Sequence, residues 1–176
     1  MISQTERLKR LNQMLVERRD ICCSEGSVDS FPVVLQKDFQ MECLGLIVCE
    51  QGEFQFTLNQ KPFVAKAGET VFLSEATVFC AGSCSVDLRM DILFYRVDPI
   101  RELLGSSVVA MHLYATLTPQ PCYVWSTGEE EDIARYISLI SRYRHTTNNP
   151  FDSHERKLLL LALTYRLCSI YSRRLM

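Results

Sequence analysis

The segment running from Val86 to Phe94 alternates: Val86, Leu88, Met90, Ile92 and Phe94 are apolar, and Asp87, Arg89 and Asp91 stand between them, with Leu93 the one apolar exception. Successive side chains of an extended strand point to opposite sides, so this period of two gives one apolar face and one mostly charged face. A helical period does not fit the pattern. A second run, EFQFTLN, sets Phe54, Phe56 and Leu58 against Gln55, Thr57 and Asn59. The apolar runs LGLIVC and TVFL accompany them, and turn signals at Gln51-Gly52, Asn59-Gln60 and Ala67-Gly68-Glu69 separate the pieces. From about Val33 to Tyr95 the chain is therefore predicted as short strands with frequent turns, which suits a sandwich or barrel and not a βαβ array.

Helical periods flank this region. From Thr5 to about Arg19, Leu8, Leu11 and Leu15 fall on one face with Met14 beside them, and charged residues fill the others, which predicts an amphipathic helix. After Pro99, IRELLG reads as a short helix ending at Gly105 and VVAMHLYATL as a strand, followed by an irregular passage marked by Pro119, Pro121 and Trp125. From Glu129 to about Arg144, Ile133, Tyr136, Ile137, Ile140 and Tyr143 share a face. The acids Glu129 to Asp132 suit the positive end of that helix dipole. HTTNNPFD breaks the chain, and Asp152 or Ser153 is the expected cap of a second helix reaching about Arg173. The expected organisation is an N-terminal helix and linker over 1–30, a β-barrel over 31–126 and an antiparallel helix pair over 127–176.

Composition narrows the function. The N-terminal residues MISQTERLKRLNQMLVERRD are interrupted by charge every few positions and offer no apolar stretch of the signal-peptide kind, so none is expected, and the longest apolar run, Leu158 to Leu163, is too short to span a bilayer. The expected compartment is the cytoplasm, where the eight cysteines remain thiols and act as small apolar residues. No C-x-x-C pair points to zinc or dithiol chemistry. Residues 20–141 hold 17 acids and 7 bases, whereas residues 142–176 hold 2 acids and 7 bases. An anionic barrel repels phosphate, so nucleic acid is not its expected ligand.

The stretch LGLIVCEQGEFQFTLNQKPFVAKAGETVFLSEATVF resembles the first half of a cupin, with Gly52 and Gly68 in its two turns. With strands before it and two helices after it, the order of elements resembles the N-terminal domain of AraC-family transcription regulators. The fold this implies is mainly β with α: a cupin-like double-stranded β-helix, or jelly-roll, barrel preceded by one helix and followed by an antiparallel helix pair. Catalytic cupins hold a metal on histidines and a glutamate, but no histidine lies between Gly45 and Gly68, and His112, His145 and His154 stand elsewhere. No metal, no cofactor and no enzymatic activity are expected. The resemblance implies a small-molecule effector inside the barrel, a homodimer, and contact with DNA only through a helix-turn-helix domain beyond Met176.

The candidate barrel-interior residues are Phe54, Phe56, Phe72, Leu88, Met90, Ile92 and Phe94. A small barrel either holds one ligand or fills itself with such side chains. Leu158, Leu159, Leu160, Leu161 and Leu163 surround more than one stripe of the last helix, which marks them as the candidate dimer interface. Two other readings stand beside this one. A stand-alone cupin enzyme or binding protein predicts bound metal or turnover. A cyclic-nucleotide-binding module shares a Gly-Glu pair at Gly68-Glu69 but needs an arginine soon after it, and none occurs before Arg89.

Overall fold

A computed structural model describes residues 21–27, 38–40, 43–74, 78–96, 122–126, 128–142 and 149–175. Nine strands are described: β1 (Ile21–Ser27), β2 (Phe39–Gln40), β3 (Leu44–Gln51), β4 (Glu53–Leu58), β5 (Lys61–Lys66), β6 (Glu69–Leu73), β7 (Val78–Cys84), β8 (Arg89–Tyr95) and β9 (Cys122–Trp125). Two helices follow, α1 (Glu130–Arg142) and α2 (Pro150–Leu175). Neither is long and apolar enough to cross a membrane. The expected helix over Thr5–Arg19, IRELLG and VVAMHLYATL lie outside the described residues.

The strands form two antiparallel sheets, one ordered β1-β8-β3-β6-β9 and the other β2-β7-β4-β5. Pairing follows a simple rule: β4 pairs with β5, β3 with β6, β2 with β7 and β1 with β8. The chain thus behaves as a long ribbon doubled back at the β4–β5 turn, with alternate pairs entering opposite sheets. That turn is Asn59-Gln60, both with positive φ (48° and 68°), the two-residue hairpin whose twist matches its strands. Asn59 also accepts the Val78 N–H on its side-chain oxygen at 2.9 Å and donates its own N–H to the Val78 carbonyl, fastening the hairpin tip to β7. Among the described residues β5 is the edge of its sheet, and it carries Lys61, Pro62 and Lys66, residues that discourage pairing with another chain.

Three sequence expectations change. The segment 1–30, read as helix and linker, contains β1, an edge strand paired with β8 throughout. The irregular passage around Trp125 contains β9, which extends the first sheet beside β6. Four residues are too few to display a period, so only the pairing reveals that strand. Val86, placed on the apolar face of the alternating segment, is exposed in the turn before β8, which begins at Arg89. The helices begin and end close to their expected limits, with a different cap: Asn149 Oδ1 accepts the Phe151 N–H at 3.1 Å, and Pro150 is the first helical residue. Proline suits that position because its φ is already helical and its missing N–H has no partner to lose.

Gly52 (φ +77°) turns β3 into β4 against the turn joining β7 to β8. Ser85 Oγ accepts the Glu53 N–H at 2.9 Å, so the two turns are tied together. A Cβ on Gly52 would sit 2.2 Å from Ser85 Oγ and 3.0 Å from the Leu88 Cα, whereas one on Gly68 (φ +78°) meets nothing within 4 Å. Both positions charge an L-residue about 1 kcal/mol for the left-handed backbone. Only Gly52 adds a clash, so Gly52→Ala should cost at least about 2 kcal/mol more than Gly68→Ala in urea unfolding. Equal losses would show that the two turns are not in tight contact.

Candidate functional site

The first sheet is covered on both faces. Period-two alternation sends Ile47 and Cys49 of β3, Val71 and Leu73 of β6, and Met90, Ile92 and Phe94 of β8 towards the second sheet. There they meet Phe54, Phe56 and Leu58 of β4, Ala65 of β5, and Phe79 and Ala81 of β7. The intervening residues Leu44, Leu46, Val48, Phe72, Leu93 and Tyr95 face the opposite way and pack on the two helices.

Six of the seven expected interior residues, Phe54, Phe56, Leu88, Met90, Ile92 and Phe94, lie between the sheets. Phe72 does not. It belongs to the helix-facing cluster with Leu93 and Tyr95, because β6 is apolar on both faces and the run TVFL carries no alternation to show which face is which. The sequence reading missed Phe79 and Phe63, which with Phe54 surround Phe56 at ring-centroid distances of 5.4, 5.6 and 5.1 Å. These rings fill the side of the interior nearest the second sheet. On the opposite wall Phe94 lies against Gly45, where a Cβ would come within 2.9 Å of the ring.

Among the described residues, the buried side chains between the sheets are apolar groups and thiols, and the buried polar residues Thr70 and Thr164 lie on the helix side. Burial first, and the neighbouring Glu69 carboxylate second, push the Cys49 thiol up to about 11, so it stays protonated at neutral pH. Its Sγ lies 3.6 Å from both the Gln51 and Gly52 carbonyl oxygens. Among the described residues no three histidine, cysteine or acidic side chains are grouped to hold a metal ion. His154 is exposed on α2, and His112 and His145 lie outside the described residues.

On the other face, α1 supplies Ile133, Ile137 and Ile140, and α2 supplies Leu160, Leu163, Leu167 and Ile170. This corrects the expected dimer interface: Leu160 and Leu163 are completely buried inside their own domain, and Leu159 and Leu161 pack partly on the same cluster. Leu158 alone of the five points out, at 45% exposure, in line with Phe151 (79%) and Tyr165 (38%). Those three recur every seven residues, so they share one stripe, nearly opposite the buried face of α2.

A buried polar contact joins sheet and helix. Thr164 donates to the Leu160 carbonyl at 2.7 Å, which leaves the Tyr95 hydroxyl to donate to Thr164 Oγ1, 3.3 Å away. Burial pushes the Tyr95 phenol well above its ordinary range, so it remains a donor. Thr70, on the same side of the sheet as Phe72, has a buried hydroxyl without a hydrogen-bond partner among the described residues.

No protein-family model matches the sequence, and no curated protein matches it. Solved structures share its fold. ToxT from Vibrio cholerae O395 bound to (E)-4-(8-methylnaphthalen-1-yl)but-3-enoic acid superposes over 88% of this chain with a TM-score of 0.53 and 8% identity. Unsaturated fatty acid bound wild-type ToxT from Vibrio cholerae strain SCE256 does so over 88% with a TM-score of 0.51 and 12% identity. The chain spans 58% and 54% of the length of those two structures. The AraC-like transcriptional activator CuxR matches less well, over 83% of this chain and 49% of its own, with a TM-score of 0.43 and 12% identity.

The contact between Tyr95 and Thr164 is long for a hydroxyl pair, so its two halves should differ in worth. Tyr95→Phe removes the weak donor and should cost about 0.5–1 kcal/mol. Thr164→Val strands a buried phenol hydroxyl and should cost about 1–3 kcal/mol. Combining both changes should recover part of the second loss. Urea midpoints of the three variants decide this, and a double variant as weak as the sum of the singles would deny the contact.

Proposed function

We propose that this chain is the effector-sensing and dimerising domain of an AraC-type transcription regulator. It is a non-enzymatic cytoplasmic module that takes an apolar small molecule between its two sheets and controls a DNA-binding domain outside this sequence. The carrying observation is that one sheet is buried on both faces, against the interior on one side and the helix pair on the other. The pairing of β1 with β8, β2 with β7, β3 with β6 and β4 with β5 supports reading the two sheets as a cupin-type jelly roll.

The described interior side chains favour one ligand class. Thiols and hydrocarbon side chains repay the burial of hydrocarbon and offer nothing to a sugar's hydroxyls, each of which would need a partner. Both ligands named for the ToxT structures carry a large apolar body and a carboxyl group, which favours the same class here. A long-chain unsaturated fatty acid is the probe to use. It should bind saturably at one site per chain, measured by calorimetry, and Ile92→Phe should weaken it at least tenfold by occupying interior volume. A probe that fails to bind, or binds the variant equally well, sinks the interior site.

The exposed stripe supplies the second copy's seat. Phe151, Leu158 and Tyr165 repeat at the heptad distance along a 26-residue helix, the pattern by which two helices pack side by side. Leu158→Glu should leave the circular dichroism spectrum unchanged and convert a dimer into a monomer in sedimentation equilibrium. Equal masses for the two proteins would remove α2 as the interface.

A further inference from the structure

The residue that opens α1 breaks a local rule. Ile133 N–H donates to the Glu129 carbonyl at 3.1 Å, so Glu129 is the residue before the first helical turn, where a short Ser, Thr, Asp or Asn ordinarily turns back to the helix's own N–H groups. Glu129 instead extends both oxygens to α2. Arg173 Nη2 donates to Oε1 at 2.7 Å, and Arg166 Nη2 lies 2.7 Å from Oε2, as an ion contact and not an aligned hydrogen bond. Arg166 also reaches Asp132 at 3.5 Å, and Arg173 Nε donates to the Ser169 carbonyl of its own helix at 3.3 Å.

The placement matters more than the count. Arg166 and Arg173 lie seven residues apart, about 10 Å along the helix, so one carboxylate gathers two turns. Glu129 is only 19% exposed while the arginines are 39% and 52% exposed, so the acid is the fixed point and the cations come to it. It also stands four residues after the end of β9, which pairs with β6, the strand that carries Val71 and Leu73 into the interior. A local rule abandoned for a distant contact marks a residue that serves something beyond its own helix.

We propose that Glu129 is a latch: it holds the C-terminal half of α2 to the point where the chain leaves β9, so that displacement of β9 is delivered to the last turns of α2. The latch as a structural device is independent of any ligand. Its use as an output rests on the regulatory reading above.

The test is hydrogen–deuterium exchange of the whole chain with no ligand added. Glu129→Gln keeps the shape and removes the charge. It should raise exchange about tenfold over the C-terminal half of α2, the loss expected when two partly screened ion pairs go, with the strands unaffected. Arg166→Gln with Arg173→Gln should reproduce the effect in α2, and adding Glu129→Gln to that pair should loosen α2 further by much less than Glu129→Gln does alone. In the unaltered protein, raising salt to about 1 M should produce the same local loosening. Exchange in α2 that ignores both the substitution and salt overturns the latch, as does a rise spread equally over both sheets. Because no effector enters the experiment, a failed ligand titration and a failed latch are separate results.

Discussion

Apolar burial on both faces of a single sheet is the constraint on which the rest of the molecule hangs. In β3 the sequence Leu44-Gly45-Leu46-Ile47-Val48-Cys49 is buried without interruption, and in β8 Ile92, Leu93, Phe94 and Tyr95 are buried in succession. Consecutive residues of such a strand belong to different compartments, one between the sheets and one under the helices. A slip of one residue in register would exchange the two sets wholesale. The turns therefore have to be exact in length, which is why the β4–β5 hairpin tolerates positive φ at both central residues and why Gly52 sits where no side chain fits.

The same double burial explains what was readable in the sequence and what was not. The alternation of β4, with Phe54, Phe56 and Leu58 in and polar residues out, is legible because its second face meets solvent. In β8 the pattern reads correctly up to Ile92, and the two residues that break the charged face, Leu93 and Tyr95, are those beneath the helices. That break was the available signal of a second core. Phe72 fell to the wrong side because TVFL is apolar at every position but the first, and period two cannot orient a run that lacks contrast. The leucines of α2 failed in a related way: a dense apolar run states that a helix has buried faces without stating which residue takes which. Glu129 was recognised only as part of an acidic first turn, since the partners that distinguish it come from α2, 37 and 44 residues away.

Attachment of the helix pair divides between contacts that hold and contacts that orient. Each of the buried Ile and Leu side chains on α1 and α2 contributes about 1.5–3 kcal/mol on removal from water, without regard to direction. The Tyr95 contact with Thr164 and the Glu129 ion pairs are each worth about 1 kcal/mol, too little to dock two helices. Their geometry is restrictive, however, and they act at different ends of the problem. Tyr95 fixes α2 over β8, and Glu129 fixes α2 relative to α1 and the exit of β9. Such an arrangement is held mainly by apolar packing, to which the polar contacts add a preferred geometry at two points.

That division bears directly on how a ligand between the sheets could matter outside them. A ligand shifts a conformational equilibrium only by the difference in its affinity for the two states, so the interior must differ between them. Ile92 and Phe94 cannot move without carrying Leu93 and Tyr95, since they alternate along one hydrogen-bonded strand paired on both sides, to β1 and β3. The helix-facing surface is therefore obliged to follow the interior surface. α2 meets that surface through Leu160, Leu163, Leu167 and Ile170 and presents Phe151, Leu158 and Tyr165 on nearly the opposite side. One continuous helix thus meets the sheet along one line and presents an apolar stripe along another. Re-aiming it over Tyr95 would tilt the stripe by the same angle, so the strength of any coupling to a second copy depends on how stiffly α2 behaves as a single body.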